Sequence, residues 1–456
     1  MESVLFSIIA FIVALGVLIT VHEFGHYWVA RKAGVKVIRF SIGFGRPLLK
    51  WVRGDDQTEY VVAAIPLGGY VKMLDEREGD VDSSEQHRAF NNQSLAARSA
   101  IVFAGPLFNF IFAFLAYWLI FGMGVTGTKP VVGSLLDDGL ALQSGIEVGD
   151  TISEINGEPV QTWEQVMSTL LMTSVDGGDI HIKVKSGEFS SSRDVIIPLP
   201  FMQDVQPAEL QKLIGMRPHL PVIEAVVGTV VDNSAAFDAG LKPGDQVIHM
   251  NQQPVNDWQS MVEMVRANPA TSISVQLLRD GNEILLSVVP AEKILNDGRR
   301  IGFLGVAPAP LAEEKLAAYL TKEQYGVFAA AQQGIEKIWL MTTVSLKMLW
   351  RMVWGEASLQ NLSGPITIAD YAGKTASIGV QEFINFLALI SISLGIINLL
   401  PIPLLDGGHL LYYFIEFVKG SPVSEQTEMI GQRIGIAFLI TLMSIAFYND
   451  IARLLN

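Results

Sequence analysis

The chain of 456 residues is long enough for several domains, and half of its residues are hydrophobic against 17% charged, with a mean hydropathy of +0.36. That balance points to a membrane protein, and a formal net charge of −14 argues against a nucleic-acid partner. Without cysteine there are no disulfides and no thiolate ligands, so any metal must be held by histidine and carboxylate.

Residues Ser3 to Val21 form an uncharged apolar run that ends in His22-Glu23-Phe24-Gly25-His26. It predicts a first span over residues 1–30. If one helix runs through both parts, residues four apart share a face. His22 and His26 can then reach one zinc ion with Glu23 one position on, in the pattern His-Glu-x-x-His of metalloproteases. If the run stops at Val21, the five residues are instead a polar helix end at the interface. The segment lacks the basic start and small-residue cleavage site of a signal peptide.

Residues 31–95 form a loop with Arg31, Lys32, Lys36, Arg39, Arg46, Arg88 and Arg98 near its ends, whereas Met1 to Ser3 carry none. The positive-inside bias makes this loop cytoplasmic and places the N terminus, residues 129–382 and the C terminus on the far side. Val37 to Phe44 and Tyr60 to Lys72 are β-rich, with glycines at Gly43, Gly45, Gly68 and Gly69, and predict hairpins attached to the membrane bundle. A second span is predicted over 96–125.

An internal repeat follows. Ser144-Gly-Ile-Glu-Val-Gly149-Asp150 returns as Ala239-Gly-Leu-Lys-Pro-Gly244-Asp245, Asn156-Gly157 as Asn251-Gln252, and Trp163 as Trp258, all at one offset. Two α+β domains are predicted, over 126–221 and 222–310. Their glycine turn and following strands resemble PDZ domains, which bind extended peptides by strand addition; a spacer that binds nothing is the alternative. Within 311–380, the stretch 326–355 has Trp339, Trp350 and Trp354 beside Lys337, Lys347 and Arg351, and predicts an amphipathic helix on or dipping into the interface. Two further spans over 381–418 and 430–452 bring the total to four.

A third metal ligand must be His, Asp or Glu. Asp406 is the leading candidate because it follows an apolar run broken by Pro401 and Pro403, and irregular backbone at membrane depth belongs only where it is buried or lines a wet cavity. His409 competes with it, three residues on.

His22 to His26 in the first span, Phe103-Ala-Gly-Pro-Leu-Phe-Asn109 in the second, and Asn398-Leu-Leu-Pro-Ile-Pro-Leu-Leu-Asp406-Gly in the third together resemble the site-2 protease family of intramembrane metalloproteases. The resemblance runs the length of the chain. It implies a polytopic α-helical membrane protein with four transmembrane helices, a membrane-associated β-hairpin sheet and two tandem PDZ-like α+β domains. It further implies Zn2+ held by His22, His26 and Asp406, Glu23 as catalytic acid/base, and Asn398 in contact with substrate beside Pro401 and Pro403. The partners implied are the lipid bilayer and single-span membrane proteins, such as an anti-sigma factor already trimmed outside the membrane, or leftover signal peptides. The location implied is a bacterial inner membrane, with the PDZ-like pair in the periplasm. Because a helical peptide bond is shielded, the strand around Ser41, Gly43 and Gly45, or the hairpin ending near Gly69, is expected to pair with an unwound substrate.

Overall fold

The computed structural model describes residues 2–455 apart from 78, 177, 188–190, 201–206, 295–298 and 355–362. Its contacts divide into two units, one made of Met1–Val125 with Gln324–Asn456 and the other of Thr126–Glu323.

The first unit is helical. Helix α1 (Glu2–Lys32) runs unbroken through His22 to His26 and ends on Arg31 and Lys32, cations that complement the negative end of the helix dipole. After the strands β1 (Val37–Arg53) and β2 (Thr58–Met73) comes α2 (Leu95–Met123), capped at its start by the Ser94 hydroxyl, which accepts from the Ala97 N–H. Then follow α3 (Val327–Val353), α4 (Pro365–Ile378), α5 (Val380–Leu399), α6 (Asp406–Lys419) and α7 (Glu425–Leu455). Among the described residues four helices are long and apolar enough to cross a membrane: Val4–Lys32, Leu95–Met123, Val380–Leu399 and Glu425–Arg453. The stretch expected as one third span is thus two helices, α5 and α6, with a turn between them.

Helices in lipid gain little from burying apolar surface, so they associate where small side chains let them approach. Ala10 and Ala14 form such a stripe on α1, four residues apart, and with Leu18 they cluster with Ala372 of α4 and Phe386 and Leu387 of α5. The start of α4 is held from α7. The buried Asp450 carboxylate accepts the N–H groups of Gly364, Ile366 and Thr367 at 2.9, 2.8 and 3.1 Å, amides that a helix start leaves without internal partners. Helix α3 was expected on the interface. It packs lengthwise on α2, with the Trp118 indole donating to the Val327 carbonyl at 2.9 Å and Ile335 and Ile338 sharing a crevice with Phe110 and Phe114.

Strands β1 and β2 both bend, so that two strands form a sheet four segments wide. Phe40 to Ile42 lie in its middle, opposite Gly69 to Val71 on one side and Tyr60 to Val62 on the other. The two segments expected to pair with substrate differ in this respect. Ser41 and Ile42 already have neighbours on both sides, while the segment Gly69–Met73 is paired on one side only.

The second unit contains the repeat. Each copy has a four-stranded sheet, ordered Glu158–Pro159, Asp150–Ile155, Gly178–Ser186, Ser192–Leu199 in the first and Gln253–Pro254, Gln246–Met250, Ile273–Arg279, Asn282–Val288 in the second. A helix starts at Trp163 and at Trp258. The glycine turn needs positive φ in both copies, 88° and 94° at Gly145 and Gly149, 81° and 93° at Gly240 and Gly244. The aspartate that ends the turn is buried. Asp245 accepts the Lys242 N–H at 2.8 Å and a two-pronged bond from Arg279 at 2.7 Å; Asp150 pairs likewise with the Glu147 N–H and Arg193. Burial pushes the Asp245 carboxyl up, but Arg279 and the Lys242 N–H outweigh it and hold it below the usual carboxylate range.

Because the Asp245 carboxyl is held lower in the folded chain than in the unfolded one, its contribution is whole above about pH 4 and is lost as pH falls through the lower, folded-state value. Asp245→Ala should cost the second copy about 3 kcal/mol at neutral pH. Melting of the full chain should show that difference at pH 7 and a smaller one at pH 3; equal melting at pH 7 would reject it.

Candidate metal centre

Because α1 does not stop at Val21, His22 and His26 stand one turn apart on one face, with Nε2 atoms 3.2 Å from each other. Helix α2 lies directly against that face. A Cβ added at Gly25 would sit 2.3 Å from the Ala104 carbonyl oxygen, and one at Gly105 would sit 2.3 Å from His26 Nε2 and 2.8 Å from His22 Cε1. Only glycine at both positions lets the helices approach this closely.

Helix α2 also meets the back of each imidazole. Pro106 has no N–H to continue the helical ladder, and near this break the Ile101 carbonyl accepts from His26 Nδ1 at 2.8 Å. With that proton on Nδ1, the Nε2 lone pair faces outward, as a metal ligand requires. His22 Nδ1 faces the Asn109 amide at 3.2 Å, and Asn109 is fully buried.

The third donor comes from the turn between α5 and α6. Leu404 has φ 93°, a left-handed conformation that costs a residue with a side chain about 1–3 kcal/mol. The chain folds back so tightly that a Cβ at Gly407 would lie 2.2 Å from the Leu400 carbonyl oxygen. This turn delivers Asp406 as the first residue of α6, where the helix dipole favours a carboxylate. Its oxygens lie 3.2 Å from His22 Nε2 and 3.5 Å from His26 Nε2. Among the described residues these three side chains form the one group of His and acidic donors close enough to share an ion. A tetrahedral zinc with donors at about 2.0–2.2 Å sets neighbouring donors about 3.3–3.5 Å apart, so the spacing fits zinc with a fourth position left open.

Glu23 lies beside this group and outside it. With His26, Val71, Lys72, Arg77 and His409 it lines a cavity of about 330 Å³. The Val71 N–H donates to its carboxylate, and a Cβ at Gly69 would lie 3.1 Å from Glu23 Cγ. The edge segment of the sheet therefore runs past the carboxylate. His409, the competing third ligand, lines the cavity without joining the donor group. Asn398 is near the end of α5, half-buried and without a hydrogen bond to the described residues; Pro401 is exposed and Pro403 packs on α7 at Gly435. Gly43 and Gly45, with φ 92° and 85°, bend β1 and are not part of the donor group. Ile101 and Asn109 received no role from the sequence, although Asn109 stands four residues after Gly105 and hence on the same helix face.

The sequence profile of Peptidase family M50 matches residues 10–442. The chain is similar to "Regulator of sigma-E protease RseP" of Escherichia coli strain K12, 45% identical over 462 residues and covering 100% of both chains. It is 44% identical over 460 residues to "Protease RseP" of Yersinia pestis, again covering 100% of both. A relative from Vibrio cholerae, named as a zinc metalloprotease, is 43% identical over 456 residues with both chains fully covered. Among solved structures, a PDZ domain of an SdrC-like protein from Listeria monocytogenes matches 20% of this chain and 90% of its own length, at 13% identity and a TM-score of 0.17.

Gly105→Ala should displace both imidazoles and weaken zinc binding tenfold or more, by analogy with the roughly 10–100-fold losses seen when support of a ligand is removed. Metal analysis of the purified chain checks this, with Gly16→Ala, whose Cβ meets nothing within 4 Å, as the control that keeps its zinc. Full zinc occupancy in Gly105→Ala would contradict the close packing.

Proposed function

We propose that this chain, which belongs to peptidase family M50 and is a zinc metalloprotease, cuts a peptide bond inside the transmembrane segment of a single-span protein, using His22, His26 and Asp406 as zinc ligands and Glu23 as acid/base. The observation that carries this proposal is the donor group itself. Three ligand atoms converge beside a second carboxylate, Glu23, which with His26 lines a cavity, in a unit built on membrane-length apolar helices. Ionisable groups are costly in such a setting and are kept there for function.

Zinc, when bound, supplies Lewis-acid activation of water and of the substrate carbonyl. The chain's own residues do the rest. Ile101 holds the His26 ring so that Nε2 faces the ion. Glu23, held by the Val71 N–H, takes a proton from the attacking water and returns it to the leaving amide nitrogen. Asn398, whose amide has no partner within the described chain, contacts the substrate beside the broken backbone at Pro401 and Pro403.

A transmembrane substrate has to unwind before its carbonyl is accessible. The open edge at Gly69–Met73, which passes Glu23, offers the backbone partner that an unwound strand needs. Of the two segments expected in this role, the edge near Gly69 is the one favoured, because the segment holding Gly43 and Gly45 is already paired around Ser41. The names of the full-length relatives support a substrate that controls sigma-E, an anti-sigma factor trimmed beforehand outside the membrane, with remnant signal peptides as a second class. The basic ends of residues 31–95 support an inner-membrane protein whose repeat unit, two PDZ-like domains, is periplasmic.

Co-expression of a truncated single-span reporter with the wild type and with Glu23→Gln tests the central assignment. The variant should retain zinc and lose about 10²–10⁴-fold in cleavage; normal cleavage by it would remove Glu23 from the mechanism. Proline placed in turn at residues 69–73 should abolish cleavage at one or more positions, since proline removes a strand N–H. A scan with no loss anywhere would reject strand pairing.

A further inference from the structure

We propose that Asn109 fixes the orientation and proton position of His22, a positioning role that rests on the ligand set proposed above. His22 offers its Nε2 lone pair to a metal only while its proton is on Nδ1. Among the described residues, the polar atom set against Nδ1 is the amide nitrogen Nδ2 of Asn109, 3.2 Å away. Asn109 is 0% exposed, and the Oδ1 end of its amide has no hydrogen-bond partner. The two ends of a carboxamide exchange places by a half-turn. Turned that way, Oδ1 accepts the proton on His22 Nδ1 and the ring is committed to ligation through Nε2.

The two histidines are thus served by one helix in two ways. The Ile101 carbonyl accepts from His26, a bond any residue at position 101 could supply. His22 lies farther along α2, and there the partner is a side chain, that of Asn109. Asn109 is itself held in place. The buried Ser391 hydroxyl of α5 donates to the Asn109 carbonyl at 2.8 Å, and Gly105, one turn before it, lets α2 approach the rings. An oxygen placed there accepts from Nδ1–H; an apolar side chain of the same size leaves the ring without a director.

The test titrates zinc into the metal-stripped, purified full chain against a chromophoric chelator, a readout independent of proteolysis. Asn109→Leu should bind zinc about 10–100-fold more weakly, whereas Asn109→Asp, which keeps an acceptor oxygen, should stay within about threefold of the wild type. Asn109→Ala tests the same loss if the leucine variant does not fold. Rescue by aspartate is the outcome that mere packing would not produce, so equal losses in the aspartate and leucine variants would overturn the proposal. Wild-type affinity in the leucine or alanine variant would overturn it too. His22→Ala separates the two levels. If it also binds zinc like the wild type, the ligand set has failed; if it alone loses zinc, only the role of Asn109 has.

Discussion

A polar centre at membrane depth is costly unless the polar atoms around it find partners inside the protein, because hydrocarbon offers none. The first unit meets this constraint by interrupting its own helices beside the donors. Pro106 breaks the ladder of α2 close to the carbonyl that His26 uses. The turn through Leu404 breaks the third span and delivers Asp406 from a new helix start. In both places the irregular backbone and the functional side chain form one arrangement, and neither would be stable in lipid without the other.

Glycine provides the room. Gly25 and Gly105 bring α1 and α2 close enough for a carbonyl and an amide on one helix to reach two rings on the other, and Gly407 lets the turn fold back on Leu400. The energetic support is polar as much as apolar. Ser391 to Asn109 ties α5 to α2, and the alanine stripe Ala10 and Ala14, with Leu18, ties α1 to α4 and α5. In the second unit the logic is that of water-soluble domains: apolar cores under sheets, and one buried aspartate per copy that closes the glycine turn with an arginine.

Much of this was legible in the sequence, for definite reasons. His22 and His26 are separated by one helical turn, so a run that stays helical must align them. Asp406 stood out because prolines precede it and two-proline breaks need a reason at membrane depth. What stayed hidden lacked a side-chain signature. The Ile101 carbonyl belongs to the backbone, and Asn109 reads as a polar residue in an apolar span until α1 is seen against it. Which of the two expected segments is left open did not show in the sequence, because positive φ at Gly43 and Gly45 bends β1, which puts Ser41 in the centre of the sheet and leaves the open edge at Gly69. The arginines of the two copies escaped the repeat because Arg193 and Arg279 do not share the common offset of Asp150 and Asp245, the intervening loops having different lengths.

The carboxylate of Asp450 carries a consequence for the order of assembly. It closes the start of α4, a helix that precedes it in the chain by some eighty residues and that packs on the N-terminal half of α1. During synthesis the first three apolar segments emerge and enter the membrane before that carboxylate exists. Until α7 is inserted, the amides of Gly364, Ile366 and Thr367 have to be satisfied by water or lipid headgroups. The start of α4 is therefore closed only after the last helix has left the ribosome.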